Sequence, residues 1–124
     1  MENYFENDFD IQVDDYRVFC DDGWLEYSLD DDSAVIMAID VSCPGIGIGT
    51  ALVREFERMA LAENCITVSV PVSLTSGAIS FWSKIGYKPV SDEDEQRMDE
   101  IINSDDFDPD DDSQGVIEFE KILV

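Results

Sequence analysis

A chain of 124 residues with 30 acidic and 7 basic side chains, formal charge −23, and 44 % apolar residues is one domain's worth of sequence. The apolar fraction excludes a wholly disordered chain, and the charge disfavours direct contact with nucleic acid phosphates or anionic membranes while favouring cationic partners. With no histidine, Ser-His-Asp and Cys-His chemistry and the commonest zinc ligand are excluded too.

Residues 1–14 form an acidic arm whose Phe9-Ile11-Val13 alternation suits either a first strand or packing on the body. Tyr16–Cys20 reads as a strand, Asp21-Asp22-Gly23 as its turn and Trp24–Leu29 as the return strand. After the polar turn Asp30–Ser33, Ala34–Val41 is nearly all apolar, as expected of a strand buried on both faces. Gly45-Ile46-Gly47-Ile48-Gly49 then opens a helix on which Leu52, Val53, Phe56, Met59 and Ala60 recur at helical spacing, with Asn64 suited to the stop. Ile66–Val72 alternates strictly and predicts a strand, with Pro71 interrupting hydrogen bonding near its end. Thr75 or Ser76 caps a second helix carrying Ala78, Ile79, Phe81, Trp82 and Ile85, of which Phe81 is expected to lie deeper than Trp82. Gly86 ends this helix with positive φ, and Tyr87–Val90 leaves as a short strand. Residues 91–114 are an acidic insertion: a short helix over Glu93–Ile102, then a loop whose Asp105–Asp112 repel one another and predict a mobile, expendable segment. Val116–Ile122 closes the chain as a strand. The order predicts a single α/β domain over 1–124, a mixed and mostly antiparallel sheet with two principal helices.

No apolar run approaches the roughly 20 residues that span a bilayer, and the first residues lack a signal-peptide pattern, so a soluble, cytoplasmic protein is expected. Cys20, Cys43 and Cys65 have no metal-ligand spacing and read as reduced structural thiols. Asp110, Asp112, Gln114 and Gly115 mimic half a calcium loop, but Lys121 stands where its closing Glu belongs, so no metal site is expected.

A buried strand, alternating glycines and a helix start make an anion site, because glycine lets backbone approach the ligand and the first helical N–H groups point at it. A diphosphate is the implied ligand. The dinucleotide fingerprint is broken at Thr50, the P-loop lysine is missing, and a plain strand-to-helix turn stays open from the loop alone. Pro44-Gly45-Ile46-Gly47-Ile48-Gly49-Thr50 resembles the pyrophosphate loop of the GNAT N-acetyltransferases, [QR]-x-x-G-x-[GA]. Thr75-Ser76-Gly77-Ala78-Ile79-Ser80-Phe81-Trp82-Ser83-Lys84-Ile85-Gly86-Tyr87 resembles that family's second signature, N-x-x-A-x-x-F-Y-x-x-x-G-[FY]. In length and in its acidic loop the chain is also similar to small phage-type anti-CRISPR acetyltransferases of this fold.

The resemblance implies a minimal GNAT fold and transfer of acetyl from acetyl-CoA to a lysine or other amine, on a cationic small molecule or a basic protein. It places the pyrophosphate on Gly47 and Gly49 with the amides of Ile46, Ile48 and Thr50, and the pantetheine arm along Ile39-Asp40-Val41. Thr75 and Trp82 occupy second-signature positions facing the cofactor. Pro44 and Trp82 depart from the pattern, which has a Gln or Arg and a Tyr there, and an indole cannot protonate a leaving thiolate. Glu26 and Asp40 are the candidate bases, and Tyr87 or Tyr27 the candidate acid. The alternative is a catalytically inactive acidic protein of this fold that masks a nucleic-acid-binding surface.

Overall fold

The computed structural model describes residues 10–31, 33–42 and 47–123. Expectations for Phe9 and the rest of the arm before it, and for Cys43, Pro44, Gly45 and Ile46, lie outside the described residues. Among the described residues the chain is α/β, with seven strands and three α-helices in two compact units, one running to residue 68 and taking in 122 and 123, the other residues 69–121.

In the first unit β1 (Gln12–Val13), β2 (Arg17–Cys20), β3 (Gly23–Leu29) and β4 (Ala34–Val41) form an antiparallel meander in that order. The Asp14 carboxylate shapes the first turn by accepting from the amides of Tyr16 at 3.0 Å and Arg17 at 2.7 Å. Asp21 and Asp22 make the two-residue link that pairs Cys20 with Gly23.

β4 is not buried on both faces as its composition predicts: Met37 is 57 % exposed and Asp40 is exposed. The cause is a bulge. Ile36 stands opposite Tyr27 and Ala38 opposite Glu26, so Met37 is an extra residue that reverses the alternation after it. Ile39 and Val41 thereby share the face of Leu25 and Gly23, and Asp40 is turned to the other.

α1 (Ile48–Ala62) covers the Leu25 face with its buried residues Ile48, Leu52, Val53 and Phe56; the Phe56 ring lies 5.0 Å from that of Tyr27. Burying one such side chain stabilises by about 2 kcal/mol. Asn64, at φ +67, ends the helix: its amide donates to Leu61 and that of Cys65 to Ala60. The buried Cys65 thiol donates to the Asp30 carbonyl at 3.3 Å.

β5 (Thr67–Ser73) leads into the second unit, buries Val68, Val70 and Val72 in strict alternation, and leaves Pro71 exposed. The remaining elements are α2 (Ser76–Lys84), β6 (Lys88–Pro89), α3 (Asp92–Ile102), a 3-10 turn (Asp112–Gln114) and β7 (Val116–Ile122); here the strand order is β5-β7-β6. Leu74 donates to Gly115, and β6 pairs antiparallel with β7. Thr75 caps α2, accepting from the Ala78 amide at 3.1 Å. Gly86, at φ +102, ends it as expected, with Gly86 N–H donating to Ser83 and Tyr87 N–H to Trp82.

One expectation fails in this unit, and the acidic loop has ties its charges do not suggest. Trp82 is 4 % exposed and Phe81 only half-buried, the reverse of the expected depth. The helix-ending motif explains it, because Trp82 and Tyr87 are the two residues which that motif brings together, edge to face at 5.1 Å. The acidic loop is hydrogen-bonded to its surroundings. The Gln114 amide nitrogen donates to the carbonyls of Asp111 at 2.9 Å, Leu74 at 3.3 Å and Asp108, while its oxygen accepts from the Asp108 amide at 2.8 Å. Ser76 N–H donates to Pro109 at 3.0 Å, tying the loop to the start of α2. α3 is regular but buries no residue.

Candidate functional site

The chain leaves β4 held by a hydrogen bond from Ser42 N–H to Asp22 at 2.7 Å. Gly47 is the N-cap of α1 at φ +92, ψ 4, a conformation that costs a residue with a Cβ about 1 kcal/mol. It is exposed, and a Cβ there would meet no atom of the described residues within 4 Å. The first intrahelical bond runs from Ala51 N–H to Gly47. The amides of Ile48, Gly49 and Thr50 therefore precede the helical ladder. Gly49, expected in the loop, is the second residue of the helix instead.

No acidic residue lies in the first turn of α1, whereas Asp92, Glu93, Asp94 and Glu95 crowd the first turn of α3. In a chain with 30 acids this contrast matters. The positive end of α3 is met by its own carboxylates, and that of α1 has no such counter-charge in its first turn. Gly23 sets the helix start in place: a Cβ on it would stand 3.0 Å from the Asp40 carbonyl, 3.2 Å from Ile48 and 3.3 Å from Val41. A Cβ there would crowd all three, and Ile48 rests directly on the β3–β4 ends. By its sequence context Gly23 reads as a turn residue; its place opening an apolar strand is the signal that points to a close approach.

Ile39 and Val41, the candidate pantetheine contacts, are half-buried on the α1 side. Glu26 and Asp40 lie together on the opposite face, one diagonal step apart across the Trp24–Asp40 and Glu26–Ala38 pairs. Arg17 stands opposite Glu26; its guanidinium lies 5.2 Å from the Tyr16 ring, 5.4 Å from the Phe19 ring and 3.7 Å from the Asp14 carboxylate. Tyr27 is placed elsewhere. It lies four residues, about 13 Å, along β3 from Gly23, and its hydroxyl donates to the Asp14 carbonyl at 2.7 Å. Burial first, then the charges of Asp14 and Asp15, push its phenol above the ordinary range.

Thr75, Trp82 and Tyr87 belong to the second unit, where each has a part in building α2. Thr75 caps it, Trp82 packs between Phe81 at 4.9 Å and Tyr87, and Tyr87 is 2 % exposed with the Lys121 ammonium 5.8 Å from its ring.

No family model matches the sequence, and a search of curated proteins finds no match. Solved structures do match. Nourseothricin acetyltransferase is 15 % identical over 87 % of this chain and 64 % of its own, with a TM-score of 0.63. The PaiA N-acetyltransferase of Thermoplasma acidophilum, in complex with coenzyme A, is 18 % identical over 86 % of this chain and 58 % of its own, at 0.58. The anti-CRISPR protein AcrVA5 is 16 % identical over 82 % of this chain and 94 % of its own, at 0.55. The chain thus spans roughly three fifths of the two larger enzymes and nearly the whole of AcrVA5. What it shares with them is the GNAT fold.

Proposed function

We propose that this chain is a cytoplasmic acetyl-CoA-dependent N-acetyltransferase acting on a cationic amine, on a small molecule or a protein. The observation that carries the reading is the acid-free start of α1 behind Gly47, an anion cradle kept clear in a chain of charge −23. Gly47 and the amides of Ile48, Gly49 and Thr50, with Ile46 before them, would hold the diphosphate. Arg54 is exposed on α1 seven residues beyond Gly47, roughly 10 Å along the axis, so the cradle itself relies on backbone dipoles. Bound acetyl-CoA supplies an acetyl thioester, which an amine converts to an amide with release of the thiol.

Before it can react, the ammonium must lose a proton, and Asp40 is the better placed of the two candidate bases. Its cross-strand partner is Trp24, whereas Glu26 is paired in register with Arg17. Asp40 is exposed, whereas Glu26 is half-buried. The backbone of Ile39 and Val41 would line the pantetheine arm. Thr75, Trp82 and Tyr87 support the second-signature helix in this reading, and solvent protonates the thiolate. The buried Trp82 indole is also what favours the second reading, a catalytically silent acidic protein that masks a nucleic-acid-binding surface.

Calorimetry with CoA, followed by release of free thiol from acetyl-CoA in the presence of a lysine peptide, separates the possibilities. Binding with turnover supports the enzyme, and binding without turnover supports the silent module. Gly47→Asp places a charge and a Cβ in the cradle and should weaken CoA binding at least tenfold while the fold survives. Unchanged binding would remove the cradle from Gly47.

A further inference from the structure

The β5–β7–β6 sheet has two unlike faces. Val70, Val72, Ile117 and Phe119 lie on the buried one. The outward one should carry polar residues, as a solvated sheet face does. Glu118 and Glu120 obey, but Val90 is 40 % exposed, Val116 is 49 % exposed, and Pro71 is exposed as well. Register draws these three together. Val90 N–H donates to Glu118 at 3.1 Å, which sets the two side by side across β6 and β7. Leu74 N–H donates to Gly115, and Leu123 N–H to Ile66 at the far end, so β7 runs back along β5. That puts Pro71 opposite Glu118 and Ser73 opposite Val116. Val90, Pro71 and Val116 thus flank Glu118 on three sides.

The same strands carry the ends of the acidic insertion. It leaves after Val90 and returns through Gly115 to Val116, and over 91–114 it holds twelve of the chain's 30 acids against one arginine. Every acid of α3 except Asp94 is exposed. A hollow of about 370 Å³ opens between β6 and the first turn of α3, lined by Lys88, Pro89, Val90, Ser91, Asp92 and Glu95. Its wall is apolar at Pro89 and Val90 and anionic at Asp92 and Glu95, while Lys88 already stands opposite Glu120.

An exposed apolar patch rimmed by polar groups marks a docking site. The carboxylates around this one select the occupant. A nucleic acid, an acidic protein or a second copy of this chain would bring like charge against like. A basic segment is attracted instead. Its apolar residues would cover Val90, Pro71 and Val116, and a lysine or arginine stem would lie along Pro89 with its charge toward Asp92 and Glu95.

We propose that the outward face of β5–β7–β6, with the hollow at the start of α3, docks a basic amphipathic segment of another protein. The inference stands apart from the anion cradle and from acetyl transfer, and its test uses no cofactor.

Backbone amide shifts of the whole protein are followed by NMR while a synthetic amphipathic peptide of lysines and leucines is added. A lysine–serine peptide of equal charge and a glutamate–leucine peptide of equal length are the controls. The lysine–leucine peptide should shift Val90, Glu95, Val116 and Glu118 ahead of other residues. Lysine–serine should bind about tenfold more weakly, and glutamate–leucine should not bind. Val90→Ser combined with Val116→Ser should erase the preference for leucine, and Glu95→Gln should weaken the lysine–leucine peptide severalfold. Should the double variant fail to fold, Glu95→Gln and the control peptides still decide. Shifts spread over every acidic surface with no preference for leucine overturn the site, as does a preference that the double variant keeps. Lysine–leucine binding that Glu95→Gln leaves intact removes the hollow, and equal binding of glutamate–leucine removes the basic partner. Dimers that form with the same shifts and no peptide would make a second copy the occupant, which also overturns the proposal.

Discussion

Replacing the Gln114 amide nitrogen with oxygen, Gln114→Glu, tests the acidic loop with almost no change in shape. Nε2 has two hydrogens and faces three carbonyls, those of Asp108, Asp111 and Leu74, so two good bonds and one shared contact are lost. The bond accepted from the Asp108 amide is kept. At about 1 kcal/mol per half-exposed bond the loss is about 2 kcal/mol, and a carboxylate facing carbonyl oxygens adds to it. For a chain of this size that lowers Tm by about 8 °C. The penalty also has a sign in pH. Carbonyl oxygens disfavour the charged form and raise the folded-state pKa of the new Glu above its unfolded value of about 4.3. The deficit relative to wild type should therefore be least below that value and complete once pH has risen past the folded one. Hydrogen exchange at Ser76 N–H, which donates to Pro109, locates the effect in the loop. An unchanged Tm together with unchanged exchange at Ser76 would refute the claim that Gln114 pins the loop.

Gly23→Ala should cost about 1–2 kcal/mol, since overpacking against Asp40, Val41 and Ile48 outweighs the entropy an alanine removes from the unfolded chain; urea unfolding measures it, and a neutral result would show that α1 can lift off β3. Gly47→Ala meets no atom of the described residues and should lose about 1 kcal/mol through its backbone angle, again by urea unfolding. Tyr27→Phe should lose about 1 kcal/mol with the bond to Asp14. Because the folded Tyr27 phenol titrates above its ordinary value of 10.0, wild type holds that stability below pH 10 and loses it as pH rises through the folded pKa. The Phe variant should show no such loss in a pH series of melting curves, and parallel curves would count against the assignment.

The strands Arg17–Cys20, Gly23–Leu29 and Thr67–Ser73 and both principal helices are legible because their signals act over a few residues: alternation, helical spacing, the Thr75 cap, and Asn64 and Gly86 at the helix ends. The bulge at Met37 is not. Apolar residues occupy both registers of Ala34–Val41, and only the pairing with Glu26 and Tyr27 decides which face Asp40 takes. Gln114 reads as one more polar loop residue, since its partner Leu74 is 40 positions away. The charges of Asp105–Asp112 predict mobility, and nothing in them announces that distant tie. Of the candidate site, the glycine before the helix and the two acids on strands can be read directly. The kinship of Trp24 with Asp40 and the tight seat at Gly23 depend on strand register, which no local window contains.

On the proposed reading, an anion held by amide dipoles inside a strongly negative envelope would reverse the usual influence of electrolyte. Proteins that grip phosphates with lysine and arginine lose affinity as salt rises, because ions compete for those charges. Here the long-range field of 30 acids opposes an arriving diphosphate, and the attraction of the α1 start is confined to about one turn. Added salt shortens the reach of the repulsion to about 10 Å at 0.1 M and below that at higher concentration, while contact-range amide bonds are little screened. Capture of the cofactor should thus quicken, and not falter, as the medium becomes more saline.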